Sequence, residues 1–231
     1  MARILVVPDL HLPYEHPSAL RFCKDLYRKH RCNQVVFLGD ICDHAGISDH
    51  EKLPEADSPL EELKKFTAKV APWYREWPDA YVCRGNHESR LTRMAAKVGI
   101  PQLYLRGLND LWDTPNWKWG SEWIIDEVLY THGTGYGGKY HAANMMDKLL
   151  CSVVVGHIHT VAMVYWKANS VRRIFAMNAG CLVDDKALAF AYSADRLQKA
   201  ILSAATVIDG IPQLHIMPCG RNEPYARKGS T

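Results

Sequence analysis

The sequence lacks the cysteine patterns that form disulfides or bind structural metal ions in small domains. Its seven cysteines form no CxxC pair and are odd in number, so neither a disulfide framework nor a cysteine-bound structural zinc is indicated. This usage is typical of a reducing compartment, in which we expect free and mostly buried thiols. The cysteines are Cys23, Cys32, Cys42, Cys83, Cys151, Cys181 and Cys219.

Long apolar runs are also missing. No stretch approaches the roughly 20 residues that a membrane-spanning helix needs, and strand-like residues begin already at Ile4, which leaves no room for a secretory signal. We therefore expect a soluble, cytoplasmic protein with no membrane contact. The formal net charge of +3 suits an anionic substrate but is too small to indicate nucleic-acid binding by bulk electrostatics.

Internal repeats, low-complexity tracts and linkers are absent from the sequence as well. Its 231 residues, nearly half of them hydrophobic, can bury one substantial core. We therefore predict a single domain over residues 1–220. Residues 221–231 are polar and basic, and we expect them to form a flexible tail.

The order of the predicted elements favours a layered α/β fold. Residues 3–7 and 34–38 are typical of buried strands, and the apolar spacing of residues 18–30 predicts a helix capped by Ser18. This β-α-β opening favours parallel pairing. Residues 58–61 then combine a serine cap, a proline at the first helical position and a glutamate three residues after the serine, which predicts a helix running to about residue 77.

The rest of the chain contains segments with a clear strand or helix pattern and one irregular segment. We predict strands over 80–83, 123–130 and 152–155, helices over 89–98 and 142–150, and antiparallel strands over 161–166, 172–177, 204–208 and 213–217. Residues 99–122 are the least regular and contain Trp112, Trp117 and Trp119. Such rings can stack on nucleic-acid bases, but we expect them to pack this segment onto the domain, since aromatic residues dominate cores.

Five short clusters of potential metal ligands each follow a strand-like run. Runs of this kind bring side chains to one edge of a sheet, where loops carry chemistry. The side chains offered are carboxylates, imidazoles and one carboxamide, a set that suits two divalent metals better than a structural zinc. The clusters are Asp9-Leu10-His11, Gly39-Asp40-Ile41-Cys42-Asp43, Gly85-Asn86-His87-Glu88, Thr131-His132-Gly133 and Gly156-His157-Ile158-His159.

In this order the clusters resemble the DxH…GDxxD…GNHE…HG…GHxH signature of the calcineurin-like metallophosphoesterases. They cover positions 9 to 159, and Asn178-Ala179-Gly180 is similar to the family's Asn-Pro-Gly turn without its proline. The resemblance implies a four-layer α-β-β-α sandwich of two mixed sheets. It also implies a phosphoesterase that hydrolyses by attack of a metal-bridging hydroxide, without a phosphoenzyme.

The resemblance also implies a ligand set for two divalent ions. Asp9, His11 and His159 would hold the first ion, and Asn86, His132 and His157 the second, with Asp40 bridging both. The spacing of two residues between the ligands in each of the first and last clusters suits extended backbone, where alternate side chains share a face. Manganese is the metal we expect, with iron, zinc, magnesium or nickel as alternatives because all tolerate oxygen and nitrogen ligands.

Other residues would act around the metals. By resemblance, His87 stabilises charge or protonates the leaving oxygen, while Asp43 orients a histidine. Arg90 and Arg93 either meet substrate phosphate or form a solvated helix face. Further candidates for the substrate pocket are His44, Tyr136, Lys139, Tyr140 and His141; the first of these stands where protein serine/threonine phosphatases carry arginine, which argues against a phosphoprotein substrate.

The substrate class stays open at this stage. With no evident cap domain and several exposed-looking arginines, the chain is more similar to phosphodiesterase and nuclease branches, so nucleic acid or a nucleotide are the expected partners. A phosphomonoesterase acting on nucleotides or other small molecules is the alternative. A binding scaffold that has lost catalysis is a third reading, but every element of the family signature is retained here. The oligomeric state is not indicated.

Overall fold

The computed structural model describes residues 1–48, 57–184 and 199–218. Within these ranges the chain forms eleven strands and five α-helices. The strands are β1 (Arg3–Val7), β2 (Gln34–Phe37), β3 (Tyr81–Cys83), β4 (Lys118–Gly120), β5 (Glu122–Ile125), β6 (Val128–Thr131), β7 (Ser152–Val155), β8 (Ala162–Ala168), β9 (Arg173–Ala179), β10 (Ser203–Ile208) and β11 (Ile211–Ile216). The helices are α1 (Ala19–Lys29), α2 (Pro59–Glu76), α3 (Glu88–Lys97), α4 (Leu108–Trp112) and α5 (His141–Leu149).

The strands form two mixed sheets. The first has the order β11-β10-β1-β2-β3-β4 and the second β5-β6-β7-β9-β8. Strands β1 to β4 run parallel, as do β6, β7 and β9, whereas β10, β11, β5 and β8 join antiparallel. Two groups of parallel strands thus present their carboxyl ends, which is where ligands bind in α/β sheets.

Alternation of side chains along β1 shows how the layers stack. Ile4 and Val6 lie in an apolar cluster that also contains Tyr130 and Val154 of the second sheet. Leu5 and Val7 face the other way and pack with residues of α1 and α2. The outer face of the second sheet is covered in turn by α5. The four-layer α-β-β-α sandwich that the resemblance implied is therefore confirmed.

Local signals in the sequence explain most element boundaries. The Ser58 hydroxyl accepts from the Glu61 backbone N–H and the Glu61 carboxylate accepts from the Ser58 N–H, so the predicted capping box begins α2. Ser18 precedes α1 as expected but makes no side-chain capping bond. Asp209 and Gly210 have φ of 51° and 77°, the left-handed geometry of a tight hairpin turn between β10 and β11.

Two predicted segments differ in the structure. Residues 123–130 form a hairpin and not one strand, because Asp126 and Glu127 adopt φ of 48° and 63° and reverse the chain between β5 and β6. Residues 99–122, expected to be irregular, contain α4 and β4. A three-residue strand such as β4 carries too little periodic pattern to be recognised from sequence.

The tryptophans of this segment belong to the core. Trp112 and Trp117 are almost fully buried, and their rings lie 4.6 Å from Phe66 and 5.0 Å from Phe37 between centroids. The Trp117 indole N–H donates to the Trp77 carbonyl at 2.9 Å. Packing, rather than base stacking, accounts for these two rings.

Of the six cysteines within the described residues, all but Cys151 are buried, and Cys23, Cys32, Cys42, Cys83 and Cys151 are free thiols. No helix in the described ranges is long and apolar enough to cross a membrane. The expected tail at 221–231 lies outside these ranges, so its flexibility stays a prediction.

A contact between His215 of β11 and His30 at the end of α1 predicts a loss of stability in acid. The ring of His215 lies 4.7 Å from that of His30, and burial together with the charges of His30 and Lys29 lowers the pKa of His215 to about 4. An unfolded histidine titrates near pH 6.5, so the unfolded chain binds the extra proton first. Stability contributed by neutral His215 is therefore complete above about pH 6.5 and falls progressively as the pH drops toward 4.

Urea unfolding at several pH values checks this expectation. Between pH 7 and 4 the free energy of unfolding should fall less steeply in His215→Gln than in the unsubstituted chain. Parallel pH profiles for the two proteins would show that His215 contributes nothing to acid sensitivity.

Candidate metal centre

The parallel strands of both sheets deliver the predicted ligands to one place. Asp9 and His11 follow β1, Asp40 follows β2, and Asn86 follows β3; from the second sheet, His132 follows β6, and His157 and His159 follow β7. All seven converge, although the first and last are 150 positions apart in the chain (159 − 9). Three groups of side chains here are close enough to hold an ion: Asp9, His11 and His159; His11, Asp40 and His87; and Asp40, His132 and His157.

One half of the centre is built from Asp9, His11 and His159. The His159 Nε2 atom lies 3.0 Å from Asp9 Oδ2 and 3.2 Å from His11 Nε2. The His11 imidazole is fixed on its other side, where Nδ1 lies 2.6 Å from Asp43 Oδ1. Asp43 thus contacts the ring nitrogen of His11 that faces away from His159, and its orienting role stays a prediction.

The other half surrounds His132. Its Nε2 atom lies 2.9 Å from Asn86 Oδ1, 3.1 Å from His157 Nδ1 and 3.2 Å from Asp40 Oδ2. Asp40 Oδ2 also lies 3.7 Å from His11 Nε2. The Asp40 carboxylate therefore stands between the two halves, where one oxygen faces both.

The nitrogen and oxygen atoms of the cluster are arranged to bind cations better than to form hydrogen bonds with one another. His132 Nδ1 lies 3.0 Å from the Leu38 carbonyl oxygen, which can only accept, so that nitrogen carries a proton, and in the neutral ring that a metal ion would bind Nε2 presents the lone pair. The same argument from Asp43 gives His11 Nε2 a lone pair. These lone pairs point at carboxylate, amide and imidazole acceptors, and Asp9 Oδ1 is buried with no hydrogen-bond partner. Two divalent cations would satisfy this set.

Charge within the cluster shifts its titration. Burial alone would raise the pKa of Asp40, but the neighbouring His132 and His87 outweigh it and hold that pKa well below its usual range. Conversely, burial works against charge on His132, yet Asp40 and Asp9 raise its pKa to about 10. Buried carboxylates thus attract positive charge strongly here, whether it is a proton or a metal ion.

Several site residues hold unusual backbone conformations. His11, Asp40 and His157 have φ of 49°, 47° and 69°, in the left-handed region that non-glycine residues rarely adopt. Each such residue costs about 1–3 kcal/mol, and it persists only where its surroundings over-determine it. At the site, this strain falls on residues whose side chains converge.

Glu88 is a structural residue whose role sequence reasoning missed. Its carboxylate accepts backbone N–H groups of Asp40 at 2.9 Å, Ile41 at 2.8 Å and Gly85 at 2.8 Å, so it ties the second and third clusters together. Glu62 does the same for the N–H groups of Ala45 and Gly46. An acidic residue directly after Gly85-Asn86-His87 was the available signal for the first of these.

His87 faces the cluster next to Asn86, a predicted ligand. Its Nε2 atom lies 3.7 Å from Asp40 Oδ2 and its Nδ1 atom 3.4 Å from Asp43 Oδ1. Arg90 Nη2 lies 3.0 Å from His87 Nε2, and Arg90 Nη1 donates to the Asp43 carbonyl at 2.8 Å. His44 is nearly buried, with Nδ1 3.0 Å from the His87 carbonyl. Arg90 and His44 therefore contact His87 in this structure.

The remaining pocket candidates lie elsewhere. Tyr136 is partly buried against the α5 cluster, with the Lys148 ammonium 5.1 Å from its ring centre. His141 is fully buried, and its Nε2 lies 3.2 Å from the Gly156 carbonyl oxygen. This placement gives His141 no surface for a substrate, which argues against the direct contact that the sequence suggested.

Gly156 allows the backbone to approach Asp9 closely. A Cβ atom at this position would overlap Asp9 Oδ1 and lie 3.2 Å from Asp9 Cγ. We expect Gly156→Ala to displace a ligand and to lower kcat/KM by about 10²-fold, since misplacements near 1 Å have effects of that size. Kinetics with added manganese, together with metal content, would check this.

A matched glycine serves as its control. A Cβ at Gly137 would meet nothing within 4 Å, so Gly137→Ala should keep wild-type metal content and rate. Equal activity of both alanine variants would contradict the proposed importance of this close approach.

Fold and cluster together place the chain among α/β proteins with a candidate two-metal site at the carboxyl ends of their strands. A family model described as calcineurin-like phosphoesterase matches residues 2–181. This match covers well over half of the chain, and the protein therefore belongs to the calcineurin-like phosphoesterases. A comparison with curated protein sequences gives no match.

Solved structures with a related architecture share little sequence. A metallophosphoesterase from Sphaerobacter thermophilus is 16% identical, with 94% of this chain and 88% of that chain covered and a TM-score of 0.49. The phosphoesterase Yfce from E. coli is 15% identical, with 91% and 90% covered and a TM-score of 0.46. Vacuolar Protein Sorting 29 from Cryptosporidium parvum is 16% identical, with 93% and 96% covered and a TM-score of 0.45. Family membership follows from the family model alone.

Proposed function

We propose that this protein is a metal-dependent hydrolase of phosphate esters. The observation that carries the proposal is the convergence of imidazole nitrogens and carboxylate oxygens on both sides of Asp40 Oδ2. Two divalent cations bound there would neutralise phosphate oxygens and lower the pKa of water. Asp9, His11 and His159 would hold one ion, Asn86, His132 and His157 the other, and Asp40 both.

The residues beside the metals have separate tasks. Asp43 and the Leu38 carbonyl hold the tautomers of His11 and His132. His87 lies at the edge of the cluster, and its protonated form would stabilise a phosphate oxygen or give a proton to the leaving oxygen. Arg90 places a permanent positive charge 3.0 Å from that nitrogen, where it supports negative charge on the substrate.

Within this class we favour phosphodiesters, including nucleic acid, over monoesters. A cavity beside α3 is lined by Arg84 and Arg106, which are exposed and form no ion pair with any residue in the described ranges. Glu88 lines the same cavity while binding the backbone of Asp40. Exposed arginines that line a cavity together with Glu88 suit a substrate with phosphates beyond the one that reacts.

Three substrates separate the alternatives. The purified protein would be incubated with bis-p-nitrophenyl phosphate, p-nitrophenyl phosphate and single-stranded DNA, each with added manganese. Cleavage of the diester and of DNA is expected. Rapid monoester turnover without diester cleavage would favour the phosphomonoesterase, and no turnover with any divalent metal would favour a binding scaffold.

The cavity arginines give a further prediction. Arg106→Gln should raise KM for single-stranded DNA by roughly threefold to tenfold, which corresponds to about 1 kcal/mol. The constants for bis-p-nitrophenyl phosphate should stay unchanged, because that substrate has no additional phosphate. An equal effect on both substrates, or none on DNA, would remove this cavity from the account of substrate binding.

A further inference from the structure

Two buried side chains grip one peptide unit of the metal-binding loop from opposite sides. The His157 N–H donates to Asp9 Oδ2 at 2.8 Å. The carbonyl of the same peptide unit, that of Gly156, lies 3.2 Å from His141 Nε2. This peptide plane is thereby fixed at both its polar ends.

The orientation of that peptide decides where the His157 imidazole points. His157 adopts φ of 69°, a conformation that relaxes easily unless its neighbours hold it. Its Nδ1 atom is the one that lies 3.1 Å from His132 Nε2 in the second half of the centre. A rotation of the preceding peptide would therefore move a ligand away from the metal.

His141 is itself held by a second buried polar residue, Asn178. The Asn178 amide nitrogen lies 3.3 Å from His141 Nε2, 3.5 Å from His141 Nδ1 and 3.4 Å from the Ile158 carbonyl oxygen, while its oxygen accepts from the Gly180 N–H at 3.0 Å. The Gly156 carbonyl oxygen can only accept, so His141 Nε2 carries a proton and donates to it, while Asn178 contacts the same ring. Asn178 thus also restrains the far side of the same loop.

Packing alone does not require polar residues at these positions. His141 and Asn178 are both 0% exposed, and Asn178 pairs with the buried Val155 of β7. Burying polar groups costs free energy that an apolar residue of similar size would avoid. The contacts with the loop supply a reason for their presence.

We propose that His141 is a positioning residue for His157, and that it sets the affinity of the half of the metal centre built on Asp40, His132 and His157. This inference rests on the proposed metal-dependent function. Residues that hold ligands from behind typically contribute 10-fold to 100-fold in metal affinity.

Direct measurement of Mn²⁺ binding tests the proposal. Equilibrium dialysis of the metal-free full-length protein would be compared for wild type, His141→Leu and His141→Gln, with the melting temperature recorded for each. Leucine removes the donor, whereas glutamine can place an amide N–H where Nε2 stands. One Mn²⁺ should bind about 10-fold to 100-fold more weakly in the leucine variant, while the other ion and both ions of the glutamine variant keep wild-type affinity.

A substitution at a second position distinguishes the loss of ligand positioning from a general loss of stability. Met146→Ala opens a cavity on the same helix at a fully buried residue that is not part of the loop. It should lower the melting temperature without weakening Mn²⁺ binding. If His141→Leu does not fold, His141→Asn, whose shorter side chain cannot reach the Gly156 carbonyl, should show the same selective loss.

Each of the other outcomes contradicts one part of the proposal. Wild-type affinity for both ions in a folded leucine or asparagine variant would overturn the role of His141 and leave the metal centre intact. Equal losses in the leucine and glutamine variants would show that the donated hydrogen bond is not responsible. A wild-type protein that binds no Mn²⁺ would instead overturn the proposed function, and this inference with it.

Discussion

Replacing Asp40 with asparagine is expected to reduce phosphoesterase activity at least about 10³-fold, equivalent to about 4 kcal/mol of transition-state stabilisation. Asparagine keeps the shape of the side chain and an oxygen for the His87 N–H, which Asp40 Oδ1 accepts at 2.8 Å. It removes the charge and the oxygen that lies between His132 and His11, at 3.2 Å and 3.7 Å. Without that bridge, both cations would lose a shared anionic ligand.

Metal content and kcat/KM measured together would check this expectation. Asp40→Asn should bind less than the wild-type amount of manganese as well as turn over slowly. Asp147→Asn is a matched control, because Asp147 is half exposed and pairs only with Lys167 at 2.7 Å among the described residues. Activity of Asp40→Asn within tenfold of wild type would remove the bridging aspartate from the mechanism.

His87→Ala should have the second largest effect, with a different signature. We expect kcat to fall by about 10²-fold to 10⁴-fold, the range typical of a lost general acid, while both metal ions stay bound. His87 does lie near His11 and Asp40 in a group that could hold an ion. If it were a ligand, the alanine variant would lose metal affinity together with activity.

Metal titration of the variant decides between these roles. Unchanged manganese affinity with a low kcat supports the proton-transfer or charge-stabilising role, whereas a loss of bound metal supports ligation. His215→Ala controls for removing a histidine far from the cluster and should leave both quantities unchanged. Full activity of His87→Ala would show that it does neither.

Much of the fold was accessible from local patterns. The β-α-β opening, the capping box at Ser58 and the tight turn at Asp209-Gly210 depend on neighbouring residues alone, so the sequence carries complete information about them. The hairpin turn at Asp126-Glu127 was not predicted, because neither residue is the asparagine or glycine that usually adopts a left-handed backbone conformation. The strand β4 depends on pairing with β3, which no local pattern records.

The candidate site, like the fold, could be predicted from the sequence only in part. Its ligand types were readable because each follows a strand, and parallel strands end at a common edge. The contacts that hold these residues in place could not be predicted from the sequence. The Glu88 carboxylate accepts from the backbone N–H of Asp40, 48 positions away, and Arg90 contacts His87 instead of open solvent. His141 was expected at the pocket surface and lies in the interior.

By itself, the sequence determined the order of the elements, the residue types available for two metals and membership of a phosphoesterase family. Short-range rules govern these properties, since hydrophobic periodicity and motif spacing involve residues close together in the chain. Only the tertiary structure decided which atoms of Asp40 and His132 meet, which tautomers their partners impose and which buried groups hold the loop at His157. Those properties arise from packing two sheets together, and packing joins residues that no local pattern connects.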